Sequence, residues 1–216
     1  MSDPSEPAVE RFHAMRETAA RYYDEKIRVF GAIARGVDWN SEESQTLRFH
    51  QLLRLIDEPE MASVIDYGCG YGAFASYLRH RGFRGRYIGF DISAPMIAQA
   101  VAAHSSDACC SFTTDRDALA AAEYTFASGV FNVKQDHAAA RWQDYIIATL
   151  ADMHRLSGKG FAFNMLSSYS DPDKQRPDLF YGEPGFFFDY CKTRFSKRVA
   201  LLHDYPLYEF TVVVRK

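Results

Sequence analysis

The chain has 216 residues, 47% of them apolar, and a formal net charge of −3. This length and apolar fraction suit one domain with a sizeable core. The sequence has no block of Lys and Arg, which argues against a nucleic-acid partner, and no long apolar run, which argues against a membrane span. The four cysteines have neither disulfide nor metal-site spacing, and the acidic first ten residues do not resemble a targeting peptide, so we expect a cytoplasmic protein without a metal site.

Helices are expected before the first strand. Five apolar or aromatic residues recur at steps of three or four and predict a helix over residues 7–34: Phe12, Met15, Ala19, Tyr22 and Tyr23. A short polar loop with Arg35 and Trp39 follows, and a second helix is expected to begin at Ser41 and to end before Pro59. Such a loop is either a surface turn or a ligand contact, and both alternatives stay open.

The stretch VIDYGCGYG, residues 64–72, combines a short apolar strand with a glycine-rich turn. So tight a turn needs positive φ, which glycine adopts at low cost, and the helix that follows presents unpaired N–H groups and a positive dipole end to a ligand. The spacing is neither that of a P-loop nor the full dinucleotide pattern. Asp66 precedes the first glycine by two residues, where it would repel a pyrophosphate but suits a cationic ammonium or sulfonium group.

A second acid ends the next apolar segment, residues 86–91. Asp91 follows the glycines by about 20 residues, where doubly wound folds place the carboxylate that binds ribose hydroxyls. Ser93 can cap the helix that begins near Pro95. Asp91 is then free to face a ligand.

From residue 63 onward, strands alternate with helices, which indicates an α/β sheet. A long polar loop over residues 167–184 is of a length that is usually functional or disordered. The chain is expected to close with an antiparallel hairpin from residues 198–203 and 208–215. The remaining elements are expected as strands over residues 110–115, 124–131 and 161–166 and as helices over residues 142–156 and 185–191.

VIDYGCGYG resembles the first motif of class I S-adenosylmethionine-dependent methyltransferases, apolar-apolar-Asp/Glu-x-Gly-x-Gly-x-Gly. The resemblance covers residues 63–216, although the proline of the family's later leucine-x-proline-glycine-glycine passage is absent here. It implies a Rossmann-like, doubly wound sheet of seven strands, mostly parallel, with a C-terminal antiparallel hairpin. Residues 1–62 would add a helical cap or lid to a methyltransferase domain over residues 63–216, within one structural domain overall.

The resemblance also implies the cofactor, S-adenosyl-L-methionine, and its product, S-adenosyl-L-homocysteine. Asp115 matches an acid that often meets the adenine amino group, and Asp117 is its rival. The residues expected to bind the cofactor are Asp66, Gly68, Gly70, Gly72, Asp91, Ile92, Asp115 and Ser128.

Methyl transfer requires alignment, exclusion of water and, if the nucleophile carries a proton, a base. Asn132, at the end of the fourth strand, is the side chain most expected near the acceptor, with His137 and His203 as candidate bases. Alternatively no base is needed, as for a carboxylate acceptor held by Arg35, Lys174 or Arg176.

We expect a small-molecule acceptor, methylated on oxygen or nitrogen, because aromatic residues cluster late in the chain and pockets for small molecules are mostly apolar. The fourth strand lacks the tetrapeptide of amino-methylating DNA enzymes, which argues against a nucleobase amine, while a protein or tRNA acceptor stays an alternative. A nicotinamide-dependent oxidoreductase and a non-catalytic cofactor-binding protein remain alternatives, and the oligomeric state stays open. The residues expected to contact the acceptor are Tyr22, Arg35, Trp39, Lys134, Tyr169 and Tyr181.

Overall fold

A computed structural model describes residues 12–57 and 60–216. The expected helix start at Pro7 and the helix-ending Pro59 lie outside these residues. The helices are α1 (His13–Phe30), α2 (Glu42–Leu53), α3 (Ala73–His80), α4 (Ala94–Ala103), α5 (Ala139–Leu156) and α6 (Pro184–Arg194). The strands are β1 (Val64–Tyr67), β2 (Tyr87–Phe90), β3 (Cys110–Thr113), β4 (Ala122–Ala127), β5 (Ser157–Leu166), β6 (Arg198–Leu202) and β7 (Glu209–Arg215).

The seven strands form one sheet in the order β3-β2-β1-β4-β5-β7-β6. The first five strands pair in parallel, whereas β7 pairs antiparallel with both β5 and β6. This confirms the seven-stranded, mostly parallel sheet with a C-terminal antiparallel pair. The strand order reverses between β1 and β4, and ligands of doubly wound sheets bind beyond the carboxyl ends of the strands at such a point.

Two strand boundaries differ from the expected ones by four residues. The fourth strand ends at Ala127 instead of residue 131, because Gly129 adopts a φ of +72° that no strand can continue. The fifth strand begins at Ser157 instead of residue 161, because Ser157 pairs with Ala122 of β4. Residues 157–160, which lie between the expected helix and the expected strand, are therefore part of the sheet.

The sheet packs on both faces, as the alternation of side chains in a strand requires. On one face Ile65 and Tyr67 of β1 pack with the buried Trp142 of α5. On the other face Val64 packs with Phe74 of α3. Both faces of β1 are thus closed, and its carboxyl end is the part that remains available for a ligand.

Helix α1 joins the domain through polar contacts. The Ser93 hydroxyl donates to Asp24 of α1 over 2.5 Å, and Lys26 of α1 forms an ion pair with Asp38 over 2.5 Å. Tyr22 also donates its hydroxyl to Asp38. Within the described ranges, no helix combines the length and apolar character needed to span a bilayer.

The long polar loop is tied to the rest of the domain. It contains a 3-10 turn, Pro172–Lys174, and two isolated bridges connect Val133 with Leu179 and Ser167 with Gly182. These bonds hold the loop beside the carboxyl ends of β4 and β5. The loop can therefore form part of a site there.

Candidate active site

The glycine turn after β1 adopts the backbone that its sequence predicts. Gly68, Gly70 and Gly72 have φ values of +86°, +54° and +86°, a region that residues with a side chain rarely adopt. A Cβ on Gly68 would also overlap the side chain of Val130. The backbone N–H of Gly70 donates to Asp91 Oδ2 over 2.8 Å, so the turn and the second acid form one unit.

Asp91 is held by two backbone donors. Its Oδ1 accepts from the N–H of Ser93 over 2.9 Å, in addition to the bond from Gly70 to Oδ2. Ser93 caps α4 by accepting from the N–H of Met96, as expected. Burial raises the pKa of Asp91 to about 6, against these backbone hydrogen bonds, which lower it. The carboxylate keeps lone pairs for further donors.

A first cavity of about 190 Å³ lies between α1 and the carboxyl ends of β1, β2 and β4. Five of the expected cofactor residues line it: Gly68, Gly70, Asp91, Ile92 and Ser128. Its other walls are mostly apolar or aromatic. They include Ala19, Tyr23, Trp39, Tyr67, Phe90, Met96, Val130, Trp142 and Tyr145.

Asp66 lies behind the glycine turn in a small annexe of about 30 Å³, which also touches Gly68, Gly70 and Ser128. It accepts from the Tyr87 hydroxyl over 2.5 Å. Burial raises its pKa to about 7, with a smaller contribution from the charge of Asp91. Asp66 is thus a carboxyl group poised between its two protonation states next to the first cavity.

Besides Asp66, two expected cofactor residues lie outside the first cavity, and neither lines the annexe. Gly72 is the N-cap of α3, and its carbonyl lies 3.0 Å from the His104 ring nitrogen. Asp115 is exposed and accepts from the N–H of its rival, Asp117. The neighbours of Asp115, Thr114 and Arg116, line the cavity in its place, because the turn after β3 directs Asp115 away from it.

A second cavity of about 460 Å³ adjoins the first. The two share four lining residues: Tyr23, Val37, Trp39 and Gly129. The expected residues Arg35, Trp39, Asn132 and Tyr181 line the second cavity. The Oδ1 of Asn132 accepts from the N–H of Leu166 over 3.1 Å. The amide N–H₂ group of Asn132 is therefore the part that can donate to a ligand.

Trp39 separates the two cavities and is supported from both sides. A Cβ on Gly129 would overlap its indole ring, and the guanidinium of Arg48 lies 3.9 Å from the ring centroid. Arg48 in turn donates to both carboxylate oxygens of Glu209, over 2.8 and 2.6 Å. A buried ion pair therefore fixes the wall between the cavities.

Five other expected residues lie outside both cavities. Tyr22 is bound to Asp38, and Lys134 donates to the carbonyl of Gln135. The His137 ring stacks on Trp142 with centroids 6.2 Å apart. Tyr169 is 73% exposed, and its ring lies 5.8 Å from that of His203, which is also exposed. Neither candidate base lines a cavity: His137 stacks on Trp142, and His203 lies against Tyr169 with the two rings tilted.

Of the two adjacent tyrosines in the predicted helical stripe of α1, Tyr23 faces both cavities and Tyr22 faces neither. Other lining residues were not among the expected site residues. Arg116 is held by Asp152 over 2.9 Å. Arg48 and Glu209 are 161 positions apart, and no local pattern could have joined them.

Comparison with known proteins now identifies the family. Residues 39–175 match the methyltransferase domain family. The chain belongs to the methyltransferase family. It is 45% identical over 168 residues to a Mycobacterium tuberculosis protein named as methyltransferase Rv1506c, and the alignment covers 76% of this chain and 99% of that protein.

Solved structures show the same fold. Magnesium protoporphyrin IX methyltransferase from Synechocystis, with S-adenosylhomocysteine bound, has a TM-score of 0.68 at 13% identity, over 94% of this chain and 99% of that one. The cyclase SpnF has a TM-score of 0.63 at 13% identity, over 88% of this chain and 75% of that one. Since these likenesses show the fold alone, the activity rests on the family and on the relative from M. tuberculosis.

The chain is therefore a class I methyltransferase that uses S-adenosylmethionine. The first cavity suits this cofactor on its own chemistry. It offers a carboxylate for hydroxyl donors at Asp91, aromatic and apolar walls for a base, and a second carboxyl group in the annexe. The tight glycine turn leaves the space that a side chain would otherwise fill.

Proposed function

We propose that the protein transfers a methyl group from S-adenosylmethionine to an oxygen or nitrogen atom of a small molecule bound in the second cavity. The observation that carries this proposal is the wall shared by the two cavities. The first cavity, which would hold the cofactor, adjoins there a larger cavity lined by polar and apolar side chains.

In the first cavity, Asp91 would accept hydrogen bonds from the ribose hydroxyls, because two backbone donors hold its carboxylate in a fixed position. Asp66 in the annexe would face the ammonium group of the methionine end, which favours an ionised carboxylate. Ile92 and Met96 would pack against the adenine ring. When bound, the cofactor supplies a methyl carbon activated by the sulfonium.

The chain's own contribution is alignment and exclusion of water. Trp39 and Gly129 form the passage between the cavities, and Asn132 offers an amide donor on the acceptor side. Helix α1 covers the first cavity through Arg16, Ala19 and Tyr23. We propose that α1 and the segment after it act as the lid over both ligands.

Isothermal titration with S-adenosylhomocysteine tests the cofactor site. Asp91→Ala should weaken binding at least about 30-fold, because charge-assisted hydrogen bonds contribute about 1.5–3 kcal/mol each. Asp117→Ala removes an exposed carboxylate outside the cavity and should leave affinity within about twofold. Equal losses in the two variants, with both folded by circular dichroism, would refute the placement of the ribose.

A further inference from the structure

The second cavity carries an excess of cationic side chains. Among its lining residues are two carboxylates, Asp38 and Glu209. The cationic lining residues are Lys26, Arg35, Arg48, Lys174 and Arg176.

Both carboxylates already have cationic partners. Asp38 forms an ion pair with Lys26 over 2.5 Å and accepts from Tyr22. Glu209 is 1% exposed and accepts two hydrogen bonds from Arg48. Neither is available to hold a cationic ligand or to take a proton from one without breaking a pair.

Two of the cations have unused donors. Arg35 is exposed and forms no ion pair with the residues described. Arg48 is 7% exposed, and its Nη1 is a buried nitrogen without a hydrogen-bond partner among those residues. An unpaired buried donor is destabilising, and the positive charge of Arg48 favours an anionic ligand at the wall that it lines.

Two further cations, Lys174 and Arg176, have partners that a ligand can replace. Lys174 pairs with Asp173 over 2.9 Å, and Arg176 pairs with Asp178 over 2.5 Å. Both lysine and arginine side chains are more than half exposed in these pairs. Exposed ion pairs contribute little to stability, so an incoming anion can compete with Asp173 and Asp178.

The cavity also lacks an evident base. Its described lining includes no histidine or cysteine, and the phenol of Tyr23 has its pKa raised by burial. Apolar walls are provided by Phe30, Val133, Leu166 and Leu179. The acceptor that fits these walls has an apolar body and a nucleophile that is already deprotonated.

We propose that the acceptor is an amphipathic carboxylic acid, methylated on its carboxylate oxygen to give a methyl ester. This inference rests on the proposed function and adds the class of the acceptor. A carboxylate lone pair forms the new C–O bond while the C–S bond breaks and its electrons remain on sulfur. An anion and a sulfonium become a neutral ester and a thioether, and no proton is transferred. Guanidinium groups match a carboxylate in geometry and charge.

Binding is tested first, on protein loaded with S-adenosylhomocysteine. The probes are octanoate, octan-1-ol and octylamine, which share one apolar chain and differ in the head group. Octanoate should bind at least about tenfold more tightly than either of the others. Arg35→Gln should remove most of this preference, whereas Arg194→Gln removes an equal charge from the end of α6, outside both cavities, and should not. Tighter binding of octylamine or octanol would overturn the proposal.

Product chemistry is tested second. The protein is incubated with S-adenosylmethionine tritiated in its methyl group and with a low-molecular-mass extract of the organism that makes it. Label in a methyl ester should be released as methanol by mild alkali. This release is diagnostic, because methyl ethers and methylamines are stable to mild alkali. Label that resists alkali would overturn the carboxylate proposal and leave the proposed function standing. An absence of any label transfer would instead count against the proposed function.

Discussion

Asp66 lies against the glycine turn with its carboxyl group shielded from water and hydrogen-bonded by the Tyr87 hydroxyl. Its raised pKa of about 7 gives the annexe a charge that depends on pH near neutrality. A ligand ammonium group interacts favourably with the ionised carboxylate of Asp66 and much more weakly with its protonated form. Ligand binding and ionisation of Asp66 are therefore linked.

We expect the affinity for S-adenosylhomocysteine to fall as pH falls below about 7. The ligand's ammonium group stays largely protonated between pH 5.5 and 7.5, so the change reports the protein. Protonation of a group with a pKa of about 7 should weaken binding about 20-fold over this range. Isothermal titration at intervals of half a pH unit measures it.

Asp66→Asn provides the control for this dependence. The variant should bind weakly at pH 7.5 and show a much flatter profile, with the residual slope near pH 6 that Asp91 supplies. An unchanged profile in Asp66→Asn would assign the titration to another group.

Gly129 gives a second prediction at this scale. Gly129→Ala should lower the rate of methyl transfer at least about tenfold, because its Cβ would overlap the Trp39 ring between the two cavities. The matched control is Gly82→Ala, which has a similar φ of +85° but open space around its Cβ. Both variants carry the strain of a positive φ, about 1 kcal/mol.

The measurements for these variants are the transfer rate and the tryptophan fluorescence. The chain has two tryptophans, and Trp142 donates its indole N–H to the carbonyl of Phe131 within the core. A spectral change in Gly129→Ala that is absent from Gly82→Ala, and that is lost when Trp39 is also replaced by Phe, would locate the disturbance at Trp39. Equal rates in the two variants would show that Trp39 does not shape the passage.

At the scale of elements, α1 is the helix whose attachment can be tested separately. Asp24→Ala removes its hydrogen bond with Ser93 and should speed dissociation of S-adenosylhomocysteine several-fold, since α1 covers the first cavity. Hydrogen exchange over residues 13–30 should also become faster. Stopped-flow displacement and exchange mass spectrometry provide the two readings.

Glu25→Ala is the neighbouring control, because Glu25 pairs only with Arg28 of the same helix among the residues described. It should leave both quantities near those of the unaltered protein. Similar acceleration in the two variants would mean that α1 covers the cavity without gating it.

The features of helices, strands and turns that could be predicted follow from local chemistry. The glycine turn requires positive φ, and Ser93 caps α4 as its position before Pro95 indicates. The start of β5 could not be predicted, because the pairing of Ser157 with Ala122 of β4 decided it. Local propensity does not report such pairing.

At the scale of the whole molecule, the sequence motif predicted the family and the sheet, whereas most residues around the acceptor could not be predicted. Asp91 follows the glycine turn by about 20 residues, the spacing at which doubly wound folds place a ligand-binding carboxylate, so its place in the first cavity could be predicted. His137 and His203 could not be placed, because no local pattern shows that each ring lies against an aromatic neighbour. The walls of the second cavity come from α1, α2, the long loop and β7, which only the folded chain brings together.

The ion pair between Arg48 and Glu209 also bears on how the protein is made. Synthesis produces Arg48 161 positions before Glu209, and a buried guanidinium without its carboxylate costs about 3–5 kcal/mol. Arg48 must therefore stay hydrated on the nascent chain until β7 has left the ribosome. The docking of α2, and with it the seating of Trp39, is then a late event in biosynthesis, and a chain halted before residue 209 has no completed second cavity.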